Sequence, residues 1–225
     1  MPKATKAKKV TDLKADKPWL RRTGKTSYKV ESLEMKKTIL IVCEGQSEEL
    51  YFKSFPVVSC TVSAFGIGQS KNSLVDITID LKSRDDYDEV WCVFDMDINS
   101  GGKEICEFDN AISKAIQNDI KVAYSNDSFE LWYCLHFDHI DQQHRRTHYY
   151  DVLSKKFEIN YVTEGKQYDY CKKIYSILTS IGDQKLAIKR AKKLHESQKD
   201  LPYSGQNPVT LVYQLVELLN KNSRN

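Results

Sequence analysis

The pattern of hydrophobic and polar positions predicts strands that alternate with helices from residue 37 onward. Residues 38–43 (TILIVC) form an apolar run rich in β-branched residues, which is typical of a strand buried on both faces. Further strands are predicted at residues 60–65, 89–94 and 121–124, and segments with helical spacing lie between them. Because parallel neighbours need crossovers of about a dozen residues or more, this alternation predicts an α/β core with a mainly parallel four-stranded sheet.

The pattern changes after residue 126. Residues 129–137 are predicted to form a buried helix, and residues 138–200 are polar and predicted to be helical in pieces. Asn207-Pro208 is expected to begin a last helix, whose apolar stripe comprises Val209, Val212, Leu215, Val216 and Leu219. We therefore predict three regions: a flexible basic tail at 1–36, the α/β core at 37–126, and a helical region at 127–225 packed on the core.

Composition and charge refine this picture. The chain is 40% hydrophobic and 29% charged, as in ordinary globular proteins. It has no stretch approaching the roughly 20 apolar residues that span a bilayer, and no apolar run follows its basic start, so a cytoplasmic protein without a membrane partner is expected. Residues 1–30 carry a net charge of +8, leaving −5 for the remainder. This segment is interpreted either as a solvated tail or as an arm that binds phosphates.

Carboxylates follow two of the predicted strands. Glu44 comes directly after the first strand and Asp95 after the third, so both are expected at the carboxyl edge of the sheet, where ligands bind in open α/β folds. Asp97 lies two residues after Asp95, and Glu48 lies in the first turn of the following helix. Four clustered carboxylates suit Mg²⁺ or Mn²⁺. The alternative is that these are ordinary turn residues without a metal.

Four motifs resemble those of RloB-like proteins. Residues 39–48 (ILIVCEGQSE) followed by Tyr51-Phe52 resemble the family's opening strand and EG motif, and residues 95–97 resemble its DxD. Residues 125–137 (SNDSFELWYCLHF) resemble a SNP-x-FELW…LHF signature, and residues 207–210 resemble its C-terminal NPST-type helix. Asp127 replaces the usual proline, and Ser47 stands where threonine is common. The resemblance covers about residues 37–220.

The resemblance implies a fold and a function. RloB-like proteins look related to Toprim domains, whose glutamate and DxD serve magnesium-dependent chemistry on nucleic acid, and the EGxSE form is similar to that of OLD-type nucleases. By this resemblance we expect a Toprim-like core and a Mg²⁺- or Mn²⁺-dependent nuclease acting on RNA, tRNA or DNA in prokaryotic anti-phage defence. A partner ATPase or other defence protein is also implied. The alternatives are a non-catalytic binding subunit and a nucleotidyl or phosphoryl transferase.

Other residues are weaker candidates. Glu130 is a candidate catalytic residue, although a carboxylate in a first helical turn is also favoured by the helix dipole. Asn126 and His136 are candidates for orienting the site, with a helix cap and a core histidine as the alternatives. Candidate nucleic-acid contacts, each with an ordinary solvated surface as the alternative, are Arg145 and Arg146, which lie among histidines and tyrosines, and Lys189 and Arg190 in a basic helical patch.

Overall fold

The protein is represented by a computed structural model that describes residues 37–64, 70–96 and 102–223. The predicted basic tail at 1–36, residues 65–69 and the candidate ligand Asp97 lie outside these ranges. The residues from Lys36 onward belong to one compact unit.

One five-stranded sheet organises the fold. Its strands lie in the order β2-β1-β3-β4-β5, where β1 to β4 are parallel and β5 is antiparallel to β4. The predicted α/β class is confirmed, but the prediction of four strands is wrong. The strands are β1 (Ile39–Cys43), β2 (Cys60–Ala64), β3 (Glu89–Asp95), β4 (Lys121–Asn126) and β5 (Val209–Thr210).

Helices connect the strands and cover the sheet. The first three are α1 (Gln46–Lys53), α2 (Lys71–Lys82) and α3 (Gly102–Gln117). The later ones are α4 (Glu130–Cys134), α5 (Arg146–Phe157), α6 (Tyr168–Ile181), α7 (Gln184–Gln198) and α8 (Val212–Asn222), with a π-helical turn at Tyr161–Gly165 and a 3-10 turn at Tyr203–Gly205. None of the helices within the described ranges is long and apolar enough to cross a membrane.

Both faces of the sheet are buried, as the apolar run of β1 predicts. Ile39, Ile41 and Cys43 contribute to one hydrophobic cluster, while Leu40 and Val42 contribute to the other. This split follows from the strand geometry, because successive side chains point to opposite faces. The first cluster is completed by α1 and α4 to α8, and the second by α2 and α3. The sheet is therefore the middle of three layers.

The fifth strand comes from the segment that was predicted to begin the last helix. Val209 pairs with Asn126 and Thr210 pairs with Ser125, and α8 begins only at Val212. The hydroxyls of Ser125 and Thr210 are also 2.9 Å apart and buried. The apolar stripe is compatible with a helix through this segment, but pairing with the edge of β4 satisfies buried backbone groups that would otherwise lack partners. The predicted helix start was therefore wrong.

The helix predicted at 129–137 is shorter than expected. The α-helical residues are Glu130–Cys134, and residues 135–137 continue as turns. All five helical side chains are buried, which agrees with the predicted burial. This short helix carries Glu130 back toward the carboxyl edge of the sheet immediately after β4.

Candidate functional site

Glu44 and Asp95 meet at the carboxyl edge of neighbouring strands. The backbone N–H of Glu44 donates to the Val93 carbonyl at 2.9 Å, which continues the pairing of β1 with β3 by one residue. The N–H of Asp95 donates to Oε2 of Glu44 at 3.3 Å. The structure therefore brings these two predicted residues together through the register of the parallel sheet.

Glu48 turns back over the loop that leaves β1. It stands in the first turn of α1, and a Cβ added to Gly45 would lie only 2.5 Å from Glu48 Oε2. The absence of a side chain at Gly45 therefore leaves room for the carboxylate. Burial, with smaller contributions from the charges of Glu130 and Glu44, raises the pKa of Glu48 to about 7, although a backbone hydrogen bond and the Lys166 charge act in the opposite direction. Its Oε2 is buried without a hydrogen-bond partner among the described residues.

Glu130 lies close to this group and is paired with a lysine. The carboxylate is buried, and its Oε1 accepts from the Lys166 ammonium and from the Tyr161 hydroxyl, the latter at 3.4 Å. Burial by itself lowers the pKa of Lys166, but the adjacent Glu130 carboxylate outweighs it, so the pKa is raised and the lysine stays charged. The favourable helix-dipole position explains a carboxylate here only in part, because this one is buried and ion-paired.

The π-helical turn brings Tyr161 and Lys166 to Glu130. A Cβ on Gly165 would lie 2.3 Å from the Tyr161 ring, so only glycine lets the ring pack against this backbone. Such π-turns occur often at functional sites. Sequence reasoning missed Lys166, which is 36 residues from Glu130 within a polar segment. No local sequence signal distinguishes it from the other surface lysines of this region.

Glu44, Glu48, Asp95 and Glu130 together are called the acidic edge below. Two further cations border it. Lys71, at the start of α2, has its ammonium 3.5 Å from Glu44 Oε1 and is only 12% exposed. Arg146, at the start of α5, donates its backbone N–H to Asp127 at 3.0 Å, and its guanidinium lies 3.9 Å from the other oxygen of that carboxylate. Arg146 was predicted from sequence as a nucleic-acid contact, whereas Lys71 was not singled out.

The remaining candidates lie in other surroundings. Asn126 is buried at the end of β4 and donates to the Ser204 carbonyl at 3.1 Å, and His136 is buried with Nδ1 3.0 Å from the Trp132 carbonyl oxygen. Arg190 donates to the Leu135 carbonyl at 2.7 Å, a contact that joins α7 to the end of α4. Arg145 and Lys189 are exposed. The functional roles proposed for all five stay predictions.

The chemistry of the acidic edge fits a divalent cation, although a complete ligand set is not assembled in the described part. Within residues 37–64, 70–96 and 102–223, no group of three or more His, Cys, Asp or Glu side chains is arranged to hold a metal ion. Asp97 lies outside these ranges. The buried Oε2 of Glu48 nevertheless has no hydrogen-bond donor in the part of the chain that the structure describes, and the charges of Glu44 and Glu130 act on this carboxyl group. Carboxylate oxygens of this kind suit Mg²⁺ or Mn²⁺.

The fold and the site define an α/β protein with an acidic edge at the carboxyl ends of parallel strands. A family model described as RloB-like protein matches residues 39–219. The chain therefore belongs to the RloB-like family, as its motifs indicated. Searches of curated proteins and of solved structures returned no match.

Proposed function

We propose that this protein is a metal-dependent nuclease that hydrolyses phosphodiester bonds in nucleic acid. The supporting observation is the convergence of Glu44, Glu48 and Asp95 at one sheet edge, with Glu130 close to Glu48. Carboxylates at such an edge repel one another unless a cation, a proton or a lysine compensates for their charge. A divalent metal provides this compensation and is itself attracted to phosphate.

Each residue of the edge has a distinct role in this proposal. Glu44, Glu48, Asp95 and Asp97 would hold one or two Mg²⁺ or Mn²⁺ ions. When bound, the metal polarises a phosphoryl oxygen and activates a water molecule. Lys166 orients the buried Glu130 carboxylate, which then serves as a hydrogen-bond or proton acceptor beside the site. Lys71 stands next to Glu44, where its charge favours an approaching phosphate.

The biological setting is proposed from the family resemblance. RloB-like motifs resemble Toprim and OLD-type nuclease motifs, so we propose a Toprim-type active site. We also propose a role in prokaryotic anti-phage defence, with a partner ATPase or another defence protein. Arg145, Lys189 and Arg190 are proposed to contact the nucleic acid outside the acidic edge.

The test is cleavage of labelled DNA, total RNA and tRNA by the purified protein in Mg²⁺, Mn²⁺ or EDTA. Cleavage in either metal, its loss in EDTA and its loss in Asp95→Asn are expected. Asp119→Asn is the matched control, because Asp119 is exposed at the opposite edge, just before β4, in a left-handed conformation that asparagine also adopts. A folded Asp95→Asn protein that cleaves like its parent would refute the assignment.

Two other outcomes would favour a different function. Binding of nucleic acid without cleavage in any metal would favour a non-catalytic binding subunit. Products longer than the substrate would favour nucleotidyl transfer. Metal binding is measured separately by thermal unfolding with and without Mn²⁺, since a ligand that binds only the folded state stabilises it. The expected increase in Tm should be smaller in Asp95→Asn than in the parent and in Asp119→Asn.

A further inference from the structure

Tyr150 is more accessible than two neighbouring tyrosines, Tyr149 and Tyr161. Tyr149, its neighbour on α5, is fully buried in the core, and Tyr161 is buried against Glu130. Tyr150 is only partly buried. Tyr149 and Tyr150 are adjacent on one helix and therefore face different directions. Part of the Tyr150 side chain packs against the same core, and the remainder is exposed.

The surroundings of the Tyr150 ring are those of the acidic edge. The Lys166 ammonium lies over the ring, 5.3 Å from its centroid, and the Tyr161 ring lies 5.6 Å away. Arg146 stands one helical turn before Tyr150, on the same face of α5. Burial raises the pKa of the Tyr150 hydroxyl, and the charges of Glu130, Lys166, Arg146 and Asp95 also act on it. The ring thus lies within electrostatic reach of β3, α4 and the π-helical turn.

We propose that Tyr150 is the stacking platform of a subsite that holds one unpaired nucleotide beside the acidic edge, with Arg146 and Lys166 next to its phosphates. The ligand class is therefore single-stranded nucleic acid. This inference rests on the proposed function for the identity of the ligand, and it deepens that function by naming the strand state of the substrate.

An accessible aromatic ring beside two cations, as in Tyr150, Arg146 and Lys166, is the combination that binds a nucleotide. Aromatic rings bind bases through their faces, and every base has such a face, so a tyrosine beside cations binds strands with little sequence preference. A paired base stacks within its own duplex and leaves no face for the protein. Unlike the fully buried Tyr161, the Tyr150 side chain remains partly accessible, so part of it is open to a ligand.

The test measures binding rather than cleavage. Fluorescence anisotropy compares a single-stranded oligonucleotide, the same sequence as a duplex, and a strand of abasic sugar-phosphate units, all in Ca²⁺ and with the integrity of each strand checked afterwards. Tyr150→Ala is expected to weaken binding of the single strand about tenfold, as expected for loss of one stacked base, and Tyr150→Phe is expected to retain it. The abasic strand should bind Tyr150→Ala and the parent equally.

Tyr87→Ala is the matched control, because Tyr87 is also partly buried but precedes β3 at the opposite edge of the sheet. Equal weakening for the single strand and the duplex, equal weakening for the abasic strand, or an unchanged affinity in Tyr150→Ala would each overturn the inference. Loss of affinity in Tyr150→Phe as well as in Tyr150→Ala would also overturn it, because the ring would then not be the determinant.

The two proposals can fail independently. Metal-dependent cleavage that requires Asp95, together with unchanged single-strand affinity in Tyr150→Ala, would retain the nuclease and remove the subsite. Single-strand binding that depends on the Tyr150 ring, without cleavage in any metal, would retain the subsite and remove the nuclease.

Discussion

Replacing Glu48 by glutamine should stabilise the metal-free protein at alkaline pH. The pKa of this carboxyl is raised from 4.5 to about 7 by burial and by the neighbouring carboxylates. A group with a higher pKa in the folded state binds its proton more tightly there, so the folded state loses stability as the pH rises from about 4.5 to about 7. At about 1.4 kcal/mol per pKa unit, the full loss is about 3 kcal/mol. Glu48→Gln removes this loss.

The measurement is urea unfolding in EDTA at pH values between 5 and 8, with Glu48→Gln compared with the parent at each pH. Their difference in unfolding free energy cancels the titration of groups common to both proteins. This difference should grow by about 2.5 kcal/mol between pH 5 and pH 8 in favour of the variant, because most, but not all, of the parent's loss falls within this range. Glu49→Gln is the control. Glu49 forms an i,i+4 ion pair with Lys53, and the loss of such a pair costs only about 0.3–0.5 kcal/mol.

A difference that does not change with pH would refute the proposed environment of Glu48. The addition of Mn²⁺ provides a second criterion. The parent should gain stability from the metal at pH 8, and Glu48→Gln should gain less, because it lacks one ligand charge. Equal gains in the parent and the variant would show that Glu48 does not contribute to metal binding.

Three further predictions concern other contacts. Gly45→Ala places a methyl group 2.5 Å from Glu48 Oε2, so it should displace this carboxylate and reduce the Mn²⁺-induced increase in Tm, while the far-ultraviolet circular dichroism stays unchanged. Lys166→Met removes the ammonium from buried Glu130 and should lower the unfolding free energy by about 2 kcal/mol. This is less than the usual cost of a broken buried pair, because Lys166 is 41% exposed. The double variant Lys166→Met/Glu130→Gln should recover part of this loss in urea unfolding, and no recovery would contradict the coupling of the two residues. Burial lowers the pKa of His136 to about 4. The free energy of unfolding should therefore fall by up to about 3 kcal/mol as the pH falls from about 6.5 to about 4. His136→Gln should flatten this pH dependence in urea unfolding.

Local sequence patterns were sufficient for much of the sheet. The apolar runs of β1 and β3 predicted strands, that of β1 one buried on both faces, and the carboxylates after them were expected at a common edge. The N–H of Asp95 indeed donates to the Glu44 carboxylate. Parallel pairing makes this prediction possible, because it aligns the carboxyl ends of successive strands.

The fifth strand and the cationic partners of the site were not accessible to the same reasoning. Val209 and Thr210 continue an apolar pattern compatible with a helix, and only the open edge of β4 makes them a strand. Lys166 and Lys71 resemble other lysines along the chain. Their roles depend on contacts with Glu130 and Glu44 across 36 and 27 residues, and these separations produce no periodic pattern.

The sequence by itself thus determined the α/β class, the RloB-like family and the positions of the acidic residues, because these depend on local periodicity and short motifs. The tertiary structure alone decided which cations face these carboxylates and that Tyr150 rather than Tyr149 stays accessible beside them. It also decided that Glu48 has a buried oxygen without a hydrogen-bond partner among the residues that the structure describes. Such properties arise from burial and from distances between segments far apart in the chain. Charge interactions depend on separation in space and on the surrounding dielectric, which only the folded chain defines.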